Sequence, residues 1–157
     1  MKYAPSPFYD MWDMLFNYSV IDVDGNAKLP YHFIKRSQSA LCMMAVQAAA
    51  NAPFELFVAN STLDSKELTY KVRAYRANGE EMSLACGIFS APKNSITGLG
   101  SLERLEKGTL LLLEWTSDGV TSFNHAFPSF ADYDTMKTLL KLYASKTNLQ
   151  NDILELL

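Results

Sequence analysis

The residues that could do chemistry in this chain are few and scattered. There are two histidines, His32 and His125, and two cysteines, Cys42 and Cys86. Their separation matches no metal-ligand spacing, and no cofactor motif accompanies them. No serine sits in G-x-S-x-G, so a hydrolase elbow is unsupported. Gly98-Leu99-Gly100 is too short for a phosphate loop. The carboxylates read as surface: Glu80 and Glu81 flank a turn signal, and Asp64 and Glu67 lie in a polar stretch. His125 alternates with Phe123 and Phe127, which reads as a core or interface histidine rather than a base. Both cysteines fall in strand-like runs and read as small buried hydrophobes.

What remains is aromatic. A flat ring can serve as a platform for the apolar face of a ring ligand. Trp12, Tyr70, Tyr75 and Trp115 are the candidates for such a role. Lys71, Arg73 and Arg76 interleave with Tyr70 and Tyr75, as a nucleic-acid face would, but an exposed sheet face looks the same. The net charge of −3 argues against nucleic acid. No apolar run approaches the ~20 residues of a membrane-spanning helix. Pro5, Pro7 and Asp10 interrupt any signal-peptide core in MKYAPSPFYDMW. The compartment stays open.

The elements that must position these residues are mostly strands. At 48% hydrophobic and 20% charged, the composition is that of a globular domain. Asp22 to Asn26 is a turn-rich cluster, and Tyr31, Phe33 and Ile34, with Lys35 and Arg36, follow a short helical pattern. Ala40 to Gln47 is apolar, and periodicity alone does not separate strand from helix. Phe54 to Ala59 reads as a strand buried on both faces. Leu68 to Arg76 alternates, with Leu68, Tyr70, Val72 and Ala74 on one side. Asn78-Gly79 then predicts a two-residue hairpin turn before the return strand, Met82 to Phe89.

Pro92 to Lys107 reads as a looser region. Thr109 to Thr116 places Leu111, Leu113 and Trp115 on one face, and Asp118-Gly119 predicts a second tight hairpin into Val120 to Phe127. Roughly seven strands over about 90 residues is the size of an immunoglobulin-like antiparallel β-sandwich. Asp132 or Asp134 can cap a helix with a stripe through Tyr133, Met136, Leu139, Leu140 and Tyr143. A short final helix is expected from Leu149 to Leu156. The chain is therefore expected to be mainly β, in three parts: a strand–helix piece over 1–38, a sandwich over 39–130 and a helical segment over 131–157.

Three segments together resemble glycoside hydrolase family 2, and within it the β-mannosidase-like members. Asp10-Met11-Trp12, Ser19 with Asp22, Gly25 with Lys28, Tyr31-His32-Phe33 and Lys35-Arg36 are similar to the end of that family's catalytic barrel. FELFVANSTLDSKELTYKVRAYRANGE is similar to the immunoglobulin-like domain that follows it, and LLLEWTSDGVTSFNHAFPSFADYDTMKTLL to the enzymes' end. Asp13 stands where the family usually has proline, and Asn17-Tyr18 where a second tryptophan is common.

The resemblance implies a parent β-glycosidase that uses two glutamates on upstream barrel strands. No glutamate precedes Glu55 here, so it implies no catalytic residue in this chain. It makes Trp12 a remnant of the sugar site; Tyr70, Tyr75 and Trp115, with Trp12, would be the glycan-facing rings if the chain were instead a free-standing binding module. The implied role is an accessory, structural portion of the enzyme, with the parent's barrel as partner. A free-standing carbohydrate-binding or protein-interaction module is the alternative.

One further expectation concerns Tyr3, Phe8, Tyr9, Met11, Trp12, Met14, Leu15 and Phe16, an apolar segment that a whole barrel would cover. Self-association through it is expected, so sedimentation at micromolar concentration should show more than monomer. A clean monomer there would contradict this.

Overall fold

The computed structural model describes residues 20, 21, 25, 27, 29–49, 52–128 and 131–147. Trp12, the apolar N-terminal segment and the expected helix over 149–156 lie outside them. The elements run α1 (Leu29–Ser37), β1 (Leu41–Gln47), β2 (Phe54–Asn60), β3 (Lys66–Arg76), β4 (Glu81–Ala91), β5 (Ser95–Ser101), β6 (Thr109–Ser117), β7 (Val120–Ala126) and α2 (Tyr133–Lys146).

The strands form two antiparallel sheets, β1-β2-β5 and β4-β3-β6-β7. This is an immunoglobulin-like sandwich with three strands facing four. It differs from the constant-type arrangement in one strand: β4 pairs with β3, not with β5. Between the sheets lie Met43, Phe54, Leu56, Val58, Leu68, Val72, Leu111, Leu113 and Trp115. The run Thr109 to Leu113 is buried at five successive positions. A strand buried on both faces must be covered twice. Leu111 and Leu113 face the other sheet, while Leu110 and Leu112 face α2 through Leu139, Tyr143 and Ala144.

The helix α2 begins where Asp132 accepts hydrogen bonds from the Thr135 amide (2.9 Å) and hydroxyl (2.8 Å). These bonds hold the Asp132 carboxyl below its ordinary pKa, since they favour the charged form. Tyr133 does not join the buried stripe; it is 74% exposed. The stripe turns inward one turn later, at Leu139, Tyr143 and Ala144.

Several expectations change on the structure. Ala40 to Gln47 resolves as a strand, because its backbone pairs with β2 from Leu41 against Asn60 to Gln47 against Phe54. β2 is not buried on both faces: Phe54, Leu56, Val58 and Asn60 point inward, and Glu55 is exposed. The β3–β4 turn is longer than expected. Arg76 donates to the Glu80 carbonyl (3.0 Å) and Gly79 to the Arg76 carbonyl (2.9 Å), so three residues span the loop. Only Gly79 there has positive φ, at 87°. By contrast, Asp118 (φ 51°) and Gly119 (φ 76°) form the expected two-residue turn between Ser117 and Val120. Cys42 is buried, and burial pushes its thiol pKa up. Cys86 is exposed, contrary to expectation, because it lies on the outer face of β4.

The stretch expected to be loose contains β5. Its two glycines weaken any strand signal. Gly98 lies opposite Phe57, whose ring comes within 3.8 Å of where a Cβ would stand. Gly100 sits at φ 117°, where the register with β2 slips and leaves Leu99 without a partner.

Two connections cross between the sheets at one end of the sandwich: β2 to β3, and β4 to β5. One buried side chain ties both. Asn60 Nδ2 donates to the carbonyls of Asp64 (2.9 Å), Ala91 (3.1 Å) and Pro92 (3.1 Å). Its Oδ1 accepts from the Thr62 amide (3.0 Å) and hydroxyl (2.7 Å). Asn60→Ala would leave these groups without their partner, at roughly 1–3 kcal/mol for a buried group so orphaned. Urea unfolding should show a loss of about 3 kcal/mol. A loss below about 0.5 kcal/mol, the range of ordinary surface changes, would refute the role given to Asn60.

Candidate functional site

The aromatic candidates do not share a surface. Tyr70 and Trp115 lie side by side on the inner face of the four-stranded sheet, in the cross-strand row Gly87–Tyr70–Trp115–Ser122. Tyr70 is half-buried. Its ring occupies the space above Gly87, where an added Cβ would meet Cε1 at 3.2 Å. Trp115 is 3% exposed and belongs to the inter-sheet core.

Tyr75 alternates to the opposite face, which sequence periodicity reads as solvent. It is 1% exposed, because α2 covers that part of the sheet. Trp115 and Tyr75 are thus both buried, one in the inter-sheet core and the other beneath α2, while Tyr70 stays partly exposed.

Tyr75 instead anchors the helix. Arg73 Nη1 donates to its hydroxyl (3.3 Å), and Lys146 Nζ, from the last turn of α2, stands 5.3 Å from its ring centroid. Arg73 also pairs with Glu114 on β6 and reaches Glu81 at 3.9 Å. Burial, then a hydrogen bond to the Glu81 carboxylate, push the Tyr75 phenol above its ordinary pKa. On the neighbouring strand, the His125 ring lies 4.6 Å from Tyr143 and 5.4 Å from Phe127. The histidine is thus part of the seam between β7 and α2.

Three further carboxylates form ion pairs at the surface. Arg76 pairs with Glu80 (2.9 Å) and Glu106 (3.1 Å), and Lys66 with Asp118 (2.8 Å). Among the described residues, no three His, Cys, Asp or Glu side chains come together as a metal site.

The best candidate site is a groove of about 270 Å³ at the end of the sandwich carrying the β6–β7 turn. Ser39, Ser117, Ser122 and Trp115 line it, together with the Lys66–Asp118 pair. Ser117 is already engaged with the Glu67 carbonyl (2.7 Å). A second, shallow groove of about 370 Å³ lies along Asn60, Ser61, Asn94 and Ile96. Neither groove brings two carboxylates together, as acid–base hydrolysis needs. Hydroxyls and one ion pair can hold a small polar solute. No signal in the sequence marked these grooves, because their walls come from strand ends far apart in the chain.

The fold defines an immunoglobulin-like β-sandwich with a helix packed on its larger sheet. Among solved structures it is similar to a β-D-mannosidase from Dictyoglomus thermophilum, with 20% identity and a TM-score of 0.62. That match covers 77% of this chain and 15% of the enzyme. The chain thus spans only about 15% of the mannosidase's length. The solution structure of CsgH from R. palustris matches at 13% identity and a TM-score of 0.38, over 56% of this chain and 90% of that one. No protein-family model matches the chain. No curated protein matches it in sequence.

Tyr75 makes a test of the helix anchor. Its neutral form is favoured in the fold, so it adds stability below the ordinary tyrosine pKa. That stability is lost as pH rises through the raised value. Absorbance titration should show late tyrosine ionisation, in step with alkaline unfolding, and Tyr75→Phe should reduce that late step. A Tyr75→Phe titration identical to that of the parent chain would contradict the assignment.

Proposed function

We propose that this chain is a non-catalytic accessory portion of a β-mannosidase-like family 2 glycoside hydrolase. Residues 1–38 would end the catalytic barrel, 39–130 form the sandwich and 131–157 close the chain. The observation that carries this reading is the likeness of the sandwich to a segment of a β-D-mannosidase over 77% of the chain. The order of the sequence motifs, barrel end before sandwich, supports it independently. The absence of glutamate before Glu55, and the lack of a paired-carboxylate groove among the described residues, support a supporting role rather than turnover.

In this role the sandwich is a rigid block. Its two cores, one between the sheets and one beneath α2, would make it a firm buttress for the barrel that carries the chemistry. The purified chain is expected to show no hydrolysis of aryl β-mannosides or β-galactosides above the buffer rate. An in-frame barrel with two strand-end glutamates, encoded immediately upstream, is the expected genetic context. Measurable turnover by the chain alone would overturn the non-catalytic reading, and an upstream region encoding no barrel would overturn the parent enzyme.

A further inference from the structure

β4 forms one edge of the four-stranded sheet. It pairs with β3 on one side and with no described strand on the other. Such an edge exposes a row of backbone donors and acceptors, and folded proteins guard it with charge, proline, bulges or cover. From Met82 to Ala91 this strand carries no charged residue and no proline. Its one guard is a bulge: Arg73 pairs with Ser83 and Val72 with Ala85, which leaves Leu84 unmatched. Beyond the bulge, Ala85 to Ala91 runs in unbroken register against Val72 to Lys66. Cys86, Ile88 and Ser90 point outward there, and Ile88 is 72% exposed.

The other edges are better protected. β7 lies against β1, and Asn124 Nδ2 donates to the Met43 carbonyl across the gap (3.0 Å). β5 carries the irregular Leu99-Gly100 step.

We infer that β4 is a self-association edge, at which a second copy of this chain adds its own β4 antiparallel. The two four-stranded sheets then run on as one sheet of eight strands. A twofold axis at Ile88 is the register that uses the whole regular stretch. It sets Ala85 against Ala91 of the second copy, Cys86 against Ser90, Gly87 against Phe89, and Ile88 against Ile88. No charge meets a like charge in that register. The most exposed apolar side chain of the strand is buried at the axis, against its own copy. The seam is short beside a standard interface, so association depends on concentration. This surface is separate from the N-terminal apolar segment, and the experiment distinguishes them.

Sedimentation velocity of the full chain, from about 10 to 500 µM, reads the equilibrium. A reversible monomer–dimer transition is expected. Ile88→Lys sets two ammonium groups face to face and removes the buried side chains, so dimerisation should weaken about tenfold or more. Ile96→Lys, on an equally open position of the other sheet, should leave it unchanged. Hydrogen exchange supplies a second reading without any variant: amides over 85–91 should exchange more slowly as concentration rises. A monomer at every concentration overturns the inference. So does association that Ile88→Lys leaves intact, that Ile96→Lys weakens equally, or that gives no added protection over 85–91.

Discussion

The arrangement of the two sheets depends on the amide of Asn60. A sandwich whose strands alternate between sheets must send loops across the same open end, where backbone groups lose their ladder partners. Here both crossings at that end converge on one 2% exposed side chain. Its two donor hydrogens and one oxygen are shared among Asp64, Ala91, Pro92 and Thr62. The register of β2 against β5 and of β3 against β4 is thereby set from a common point. At the other end the ties are separate: Leu102 donates to the Phe54 carbonyl (2.8 Å), Gln47 Nε2 to the Ala52 carbonyl (2.7 Å), and Arg76 pairs with Glu106 on the β5–β6 connection (3.1 Å).

The second organising constraint is the run of leucines on β6. A strand apolar on both faces cannot sit at the surface of a two-layer sandwich, so the chain supplies a third, partial layer. α2 covers Leu110 and Leu112, and Tyr75 comes to lie beneath it. Arg73 links this covered half of the sheet to its open half. Its guanidinium contacts Tyr75 at the margin of the helix and Glu114 beyond it. The chemistry-bearing residues of the sequence are largely consumed by this construction. Tyr75, Trp115 and His125 pack, Glu81 and Glu114 pair, and Asp132 caps.

Much of the fold was legible because its signals are local. Alternation marked β3, the Asp118-Gly119 pair marked the β6–β7 turn, and Asp132 marked the start of α2. What escaped depends on partners distant in sequence. β5 reads as a loop because its glycines matter only when Phe57 crosses over one of them. Asn78-Gly79 promised a two-residue turn, yet the register of β3 with β4 allowed three residues, so only the glycine needed positive φ. Alternation assigned Tyr75 to the outer face of its strand correctly. It could not show that a helix some 60 residues later would cover that face. The candidate site was least legible. Two of the rings chosen for their chemistry, Tyr75 and Trp115, are buried, and Asn60, which looks like an ordinary turn residue, carries the most consequential polar contacts.

Gly87 and Tyr70 divide one fixed volume between them. The tyrosine ring occupies what would be the side-chain space of its neighbour, at 3.2 Å from the position of the missing Cβ. The two positions therefore behave as a single site with one side chain to distribute. A larger residue at 87 requires the Tyr70 ring to give by a few tenths of an ångström, a demand that a smaller residue at 70 would remove. Because Trp115 stands next in the same row, a shift of that ring bears on the tryptophan too. Change at 87 is thus coupled to the side chain at 70, even though Gly87 in isolation looks like the most replaceable residue of β4.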